Sequence, residues 1–211
     1  MNIRHHIDEA TLAAFAAGQL AQPFAVVVAS HLAMCPVCQR AYREQIAIGG
    51  AVLDQLPGKP VSQGLKTGVM DMLDDTPAEP VPLPTLPAPY PLPLSQYFGA
   101  EGPKWSAIGM KARQSILQND ANGSLRLLYI PQGRAVPDHG HSGPEFTLVL
   151  KGNYTAAGQT YAAGDVEIAD EDVEHTPVAG PDEPCICLAA TNAPLRFGAF
   201  LPRILQPLLK I

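Results

Sequence analysis

The 211-residue chain has no run of 18 apolar residues, and its opening MNIRHHIDEA holds no apolar segment of the kind a secretory leader needs. Neither a transmembrane helix nor a signal peptide is therefore expected. Positive charge is scarce: 14 Lys and Arg stand against 20 Asp and Glu, a net charge of −6. That balance argues against a nucleic-acid partner, because duplex binding rests on neutralising phosphates with basic side chains. Cysteine is limited to four residues. Without an export signal, these are expected as thiols in a reducing cytoplasm rather than as a disulfide framework. Aromatic residues reach only 6 %, and the single tryptophan, Trp105, reads as packing rather than as a site.

Proline is the reverse case. Of 22 prolines, those at positions 77, 80, 82, 84, 87, 89, 91 and 93 crowd the stretch from Thr76 to Ser95. Proline lacks an amide donor and restricts the residue before it, so neither a helix nor a central strand is expected there. A polyproline-II spacer at ~3.1 Å per residue would span roughly 50 Å. An SH3-type ligand is the functional alternative, and a linker the simpler reading. The chain then divides into residues 1–75, a linker over 76–95, and residues 96–211. The linker's composition speaks against cooperative packing of the halves through it.

Residues 1–75 carry helical signals. Asp8 caps a helix to about Ala17, with Leu12 and Phe15 on its apolar side and Gly18 as the stop. Pro23 suits the first turn of a second helix running to Cys35. Pro36 opens a third toward Leu56, and Ser62 begins a fourth ending at Leu73. Leu65, Val69, Met72 and Leu73 share a face of the fourth, and Met70 and Met72 are adaptable contact residues. Val26, Val27 and Val28 give the second helix more apolar surface than one packing face needs, which points to a partner.

A helical unit this small is marginal on burial alone. The pattern His31-x3-Cys35-x2-Cys38 offers a staple, since residues four apart share a helix face and Cys38 follows across the Pro36 turn. With a fourth ligand from His5 or His6, the set suits a tetrahedral structural zinc. A CxxC redox pair, or two buried thiols, is the plainer alternative.

From about Gln96 the pattern changes to short alternating runs, LRLLYIP, EFTLVLKG, DVEIAD and CICLAA, bounded by Gly, Pro, Asn or Asp. That is the signature of an antiparallel sandwich or jelly roll. Within it stands Gly133-x5-His139-x-His141-x3-Glu145-x6-Gly152, with His175 further on. On a strand His139 and His141 share one face, and Glu145 and His175 can close a site from neighbouring strands. Three imidazoles and one carboxylate suit a divalent metal, zinc first, with manganese, iron or nickel compatible. Asp165, Glu167, Asp170, Glu171, Asp172 and Glu174 gather negative charge before His175 and read as a solvated strand edge and loop. Cys185 and Cys187 share a strand face and read as buried small hydrophobes, redox-active thiols being the alternative. The final LPRILQPLLKI is expected to pack an apolar tail on the sheet.

The histidine–glutamate block resembles the first cupin motif at every fixed position. Gly164-Asp165 and His175 resemble the second motif less closely, with Ala162 where a proline is usual and Ala179 where an asparagine often stands. The helical part resembles the zinc-binding anti-sigma domains that regulate extracytoplasmic-function sigma factors, through His6, His31, Cys35 and Cys38. With VPDHGH, PEFTLVL, IADEDVEHTPVA and LPRILQPLLKI added, the chain resembles the ChrR anti-sigma factors over nearly its full length.

That resemblance implies a cytoplasmic regulator that occludes an extracytoplasmic-function sigma factor and releases it under singlet-oxygen-type stress. The expectation is a two-domain α + β protein, a zinc-stapled helical domain followed by an antiparallel jelly roll, and not an enzyme. Its ligands are His6, His31, Cys35 and Cys38 for zinc, and His139, His141, Glu145 and His175 for the cupin metal. Neither nucleic acid nor membrane is a partner, and a small oxidant or ligand can enter at the cupin. The alternative is a metal-dependent cupin enzyme, a dioxygenase or isomerase, whose helices serve assembly.

Overall fold

A computed structural model describes residues 2–74, 84–140, 142–170, 174–193 and 196–197. His141, residues 75–83, Glu171, Asp172 and the LPRILQPLLKI tail lie outside the described residues.

Local chemistry sets the helices. α1 (Glu9–Ala16) starts where Asp8 Oδ1 accepts the Thr11 amide at 2.8 Å. It stops at Gly18, whose φ of +66° lies in the left-handed region that a Cβ disfavours. α2 (Gln22–Leu32) carries Pro23 in its first turn, and α3 (Pro36–Asp54) opens on Pro36 with Cys35 as its cap. The chain bends by 119° between those two helices. α4 (Leu65–Asp74) begins later than Ser62. Among the described residues no single helix is long and apolar enough to cross a membrane.

The β region comprises β1 (Ser106–Gly109), β2 (Ala112–Asp120), β3 (Gly123–Ile130), β4 (His139–Gly140), β5 (Glu145–Lys151), β6 (Asn153–Ala156) and β7 (Gln159–Ala162). It continues with β8 (Val166–Ala169), β9 (Glu174–His175), β10 (Val178–Ala179), β11 (Cys185–Thr191) and β12 (Arg196–Phe197). One sheet runs β1-β2-β3-β11-β5-β8, and two smaller ones run β10-β6-β7 and β12-β4-β9. Every pairing is antiparallel. Gly152, which closes the first motif, turns from β5 to β6 with φ +71°, and a Cβ there would lie 2.5 Å from the Pro184 carbonyl oxygen.

Strand alternation divides the large sheet between two apolar clusters. Leu125, Leu127, Phe146, Leu148, Leu150 and Leu188 join Leu12, Phe24, Val27 and Val28 in one core. From the other side, Val149, Cys185 and Cys187 meet Tyr154, Ala156 and Ala179 inside the barrel.

Two expectations change here. Val26, Val27 and Val28 are 4 %, 0 % and 0 % exposed, because α2 lies against β3, β5 and β11 on one side and against α1 and α3 on the other. A helix that is apolar all round is one buried all round, so its surplus surface faces this protein's own sheet. The proline-rich stretch, in turn, ends in a 3-10 turn, Leu92–Gln96, that buries Leu94 completely against the shared core. Proline forbids helix interiors and central strands, but it suits a tight turn. The two regions meet directly through α2, whatever the connector does.

Candidate metal centres

Residues 4–7 precede α1 without regular secondary structure and bring His6 beside the α2–α3 bend. There Nδ1 of His6 lies 3.4 Å from Cys35 Sγ and 3.5 Å from Cys38 Sγ. The ligand atoms of His6, His31, Cys35 and Cys38 all fall within 4.8 Å of one another. Tetrahedral zinc with Zn–N near 2.0 Å and Zn–S near 2.3 Å separates nitrogen from sulfur by about 3.5 Å, so the spacing fits.

The electrostatics agree with the geometry. Burial pushes the His31 imidazole down to about 4, so it is neutral at physiological pH, as a metal ligand must be. Its Nε2 is buried without a hydrogen-bond partner, while Nδ1 lies 2.9 Å from the Gly164 carbonyl. Burial likewise raises the Cys38 thiol to about 11, with Cys35 beside it adding to the rise. A cation would displace that proton and supply the charge that the pocket lacks. His6 is exposed and the other three are buried, so the cluster opens to solvent on one side.

His5 turns the other way. Its ring packs on Tyr161 with centroids 4.3 Å apart, and its Nδ1 lies 3.4 Å from Asp165 Oδ2. The adjacent histidines thus face different partners, which their order in the sequence does not reveal.

In the β region, His139 on β4 pairs directly with His175 on β9. Glu145 heads β5, where its Oε1 accepts the Thr147 hydroxyl at 2.9 Å. Glu145 also lines a cavity of about 70 Å³ with Thr147, Tyr154, Glu167, Cys185 and Cys187. That is room for a few water-sized molecules rather than for an ordinary organic substrate. His141 lies outside the described residues.

Two members of the acidic run depart from its reading as a solvated edge, while Asp170 is exposed as that reading expects. Asp165 is 1 % and Glu167 8 % exposed. On β8 the alternation that buries Val166 in the shared core sends Glu167 to the opposite face, where it accepts the Tyr154 hydroxyl at 2.5 Å. Burial, then the neighbouring Glu167, raises Tyr154 well above its ordinary range. The two cysteine sulfurs lie 3.4 Å apart. Their mutual hydrogen bond, then burial, holds the Cys187 thiol far above its ordinary range, so it is no reactive thiolate. Sequence reasoning also missed Arg126, buried in the barrel and bonded to Ser124 and Gln114. The signal was present: in LRLLYI, Arg126 alternates with Leu128 and Ile130 on the inward face.

Comparison with known proteins covers the whole chain. A family profile described as the ChrR cupin-like domain matches residues 99–194. The anti-sigma-E factor ChrR of Cereibacter sphaeroides is 44 % identical over 213 residues, spanning 100 % of both chains. The crystal structure of Rhodobacter sphaeroides SigE in complex with the anti-sigma ChrR matches with a TM-score of 0.78 and 42 % identity. That match covers 90 % of this chain and 99 % of the other.

Proposed function

Because the chain belongs to the family of ChrR anti-sigma factors, we propose that it binds an extracytoplasmic-function sigma factor and holds it from RNA polymerase. The observation that carries this reading is a long uncovered apolar surface. From Ile46 to Leu73 every side chain is exposed. Ile48, Val52, Leu53 and Leu56 stand 59–66 % open, and Met72 and Leu73 of α4 are 73 % and 72 % open. Apolar residues at helical spacing that cover nothing in their own chain are a docking face. Inhibition is then occlusion: the sigma surface that packs on α3 and α4 is no longer available to the polymerase. The protein is a regulator and not a catalyst.

His6, His31, Cys35 and Cys38 would hold zinc, which when bound would clamp the segment before α1 to the α2–α3 bend. Held there, α3 projects its far half away from the sheet and into solvent. The division of labour follows: residues 1–75 carry the inhibitory surface, residues 96–211 the sensor, and 76–95 connect them in a cytoplasmic protein.

His139, His141, Glu145 and His175 would hold the cupin metal, zinc or another divalent ion, beside a cavity sized for a small oxidant. Supporting the sensory reading are the direct register of His139 with His175 and the place of Glu145 on the cavity wall. Release under singlet-oxygen-type stress would begin at this cavity.

Copurification of the co-expressed sigma factor, together with a reporter read in darkness and under photosensitised light, tests both parts. The wild-type chain should retain the factor and repress in darkness. Glu145→Ala should still repress but fail to induce under light. No copurification would sink the anti-sigma reading, and normal induction by a Glu145→Ala chain lacking cupin metal would sink the sensory one.

A further inference from the structure

Asp165 carries a carboxylate yet is 1 % exposed, and it sits where the β7–β8 turn of the cupin meets the start of the chain. Its Oδ1 accepts the amides of Arg4 at 2.6 Å and His5 at 3.0 Å, and its Oδ2 accepts the amide of Ala162 at 2.8 Å. The next amide, that of Val166, donates to the His5 carbonyl at 3.3 Å. Backbone is thus fixed on both sides immediately before His6. One residue earlier in the turn, the Gly164 carbonyl lies 2.9 Å from His31 Nδ1. A carbonyl only accepts, so Nδ1 bears the proton and Nε2 keeps the lone pair for a metal.

We propose that Gly164 and Asp165 form the outer coordination sphere of the N-terminal metal cluster, Gly164 setting the tautomer and ring of His31 and Asp165 the position of His6. Both are positioning residues, and both come from the half of the chain that holds none of the four ligands. Proline at position 162 would have no N–H for Asp165 Oδ2, so the Ala162 amide is part of the clamp. Metal ligands elsewhere depend on such partners, whose loss commonly costs 10–100-fold in affinity. The inference rests on the reading that this cluster holds zinc.

The test is zinc transfer from the full-length protein to a chromophoric chelator, with cobalt substitution to report the geometry spectroscopically. Zinc stoichiometry is measured first on the wild type. Asp165→Ala should lose zinc roughly 10–100-fold faster and shift the cobalt spectrum. Asp165→Asn keeps the Oδ1 acceptor and should fall between, and Ala162→Pro, which deletes a single donor, should show the smallest acceleration. Leu125→Ala opens space in the shared core far from the turn and serves as the control for general loosening. If it accelerates zinc loss as much as Asp165→Ala does, or if folded Asp165→Asn and Ala162→Pro proteins match the wild type, the proposal fails. A wild-type chain that holds no zinc at this cluster would remove the cluster reading, and the proposal with it.

Discussion

α2 and α4 are both rich in apolar residues, but they meet opposite fates. In α2, Phe24 and Val26–Val28 lie at or below 6 % exposure, wedged between the other helices and the sheet. In α4, Leu65, Val69, Met70, Met72 and Leu73 range from 49 % to 73 % exposed. The difference is one of pattern. α2 has no polar side to give to water and must be enclosed, whereas α4 keeps polar residues around an apolar stripe and survives half uncovered. Apolar surplus marks an interior, and an apolar stripe with nothing beneath it marks a partner.

The largest test removes what holds α2 against α3. Chelation, or Cys38→Ser, should abolish one equivalent of zinc and unfold the helical region, since structural zinc contributes on the order of 10 kcal/mol to small domains. Hydrogen exchange read helix by helix would break the comparison if α2 stayed protected, because docking on the sheet would then suffice without metal. Next, Phe24→Ala removes a ring that meets Phe146 edge-on with centroids 4.9 Å apart. Urea unfolding should report a loss of about 3–5 kcal/mol.

Leu53→Asp and Met72→Asp probe the other side of the comparison. Stability should stay within about 0.5 kcal/mol, while sigma-factor affinity falls by roughly 30-fold or more, about 2 kcal/mol. Should calorimetry find unchanged binding, the stripe is not the docking face.

The smallest effect belongs to Asp8→Ala, which removes only a helix cap and should cost about 1 kcal/mol. Burial raises the Asp8 carboxyl, but hydrogen bonds from the Thr11 amide and hydroxyl outweigh it and leave it below the ordinary range. That increment is therefore complete above the unfolded carboxylate's pKa of about 3.9 and lost as acid takes the pH below the folded value. A difference between Asp8→Ala and wild type that persisted unchanged at the acid extreme would show that the carboxylate's charge is not what stabilises α1.

What could be read from the residues was local. Asp8, Gly18, Pro23 and Pro36 announce helix ends because caps and stops act within one turn. The strand alternation of EFTLVLKG and CICLAA announces a sheet because the pleat has a period of two. The cluster of His6, His31, Cys35 and Cys38 was legible because three of its four members fall within eight residues.

What could not be read was docking. Val26–Val28 looked like spare surface because nothing in their own helix reveals the sheet they meet. Asp165 and Glu167 looked solvated because their burial depends on amides and a tyrosine distant in the chain. Leu94 looked like part of an extended spacer because proline content reports what the backbone forbids and not where it rests.

The uncovered stretch from Ile46 to Leu73 has a consequence for how the protein behaves in solution without a partner. Exposed apolar side chains that nothing in their own chain covers are an aggregation liability in water. A copy engaged with its partner hides that surface, and a copy that has let go displays it. The free inhibitor is therefore the form most prone to self-association, and a partner that covers the stripe also keeps it in solution.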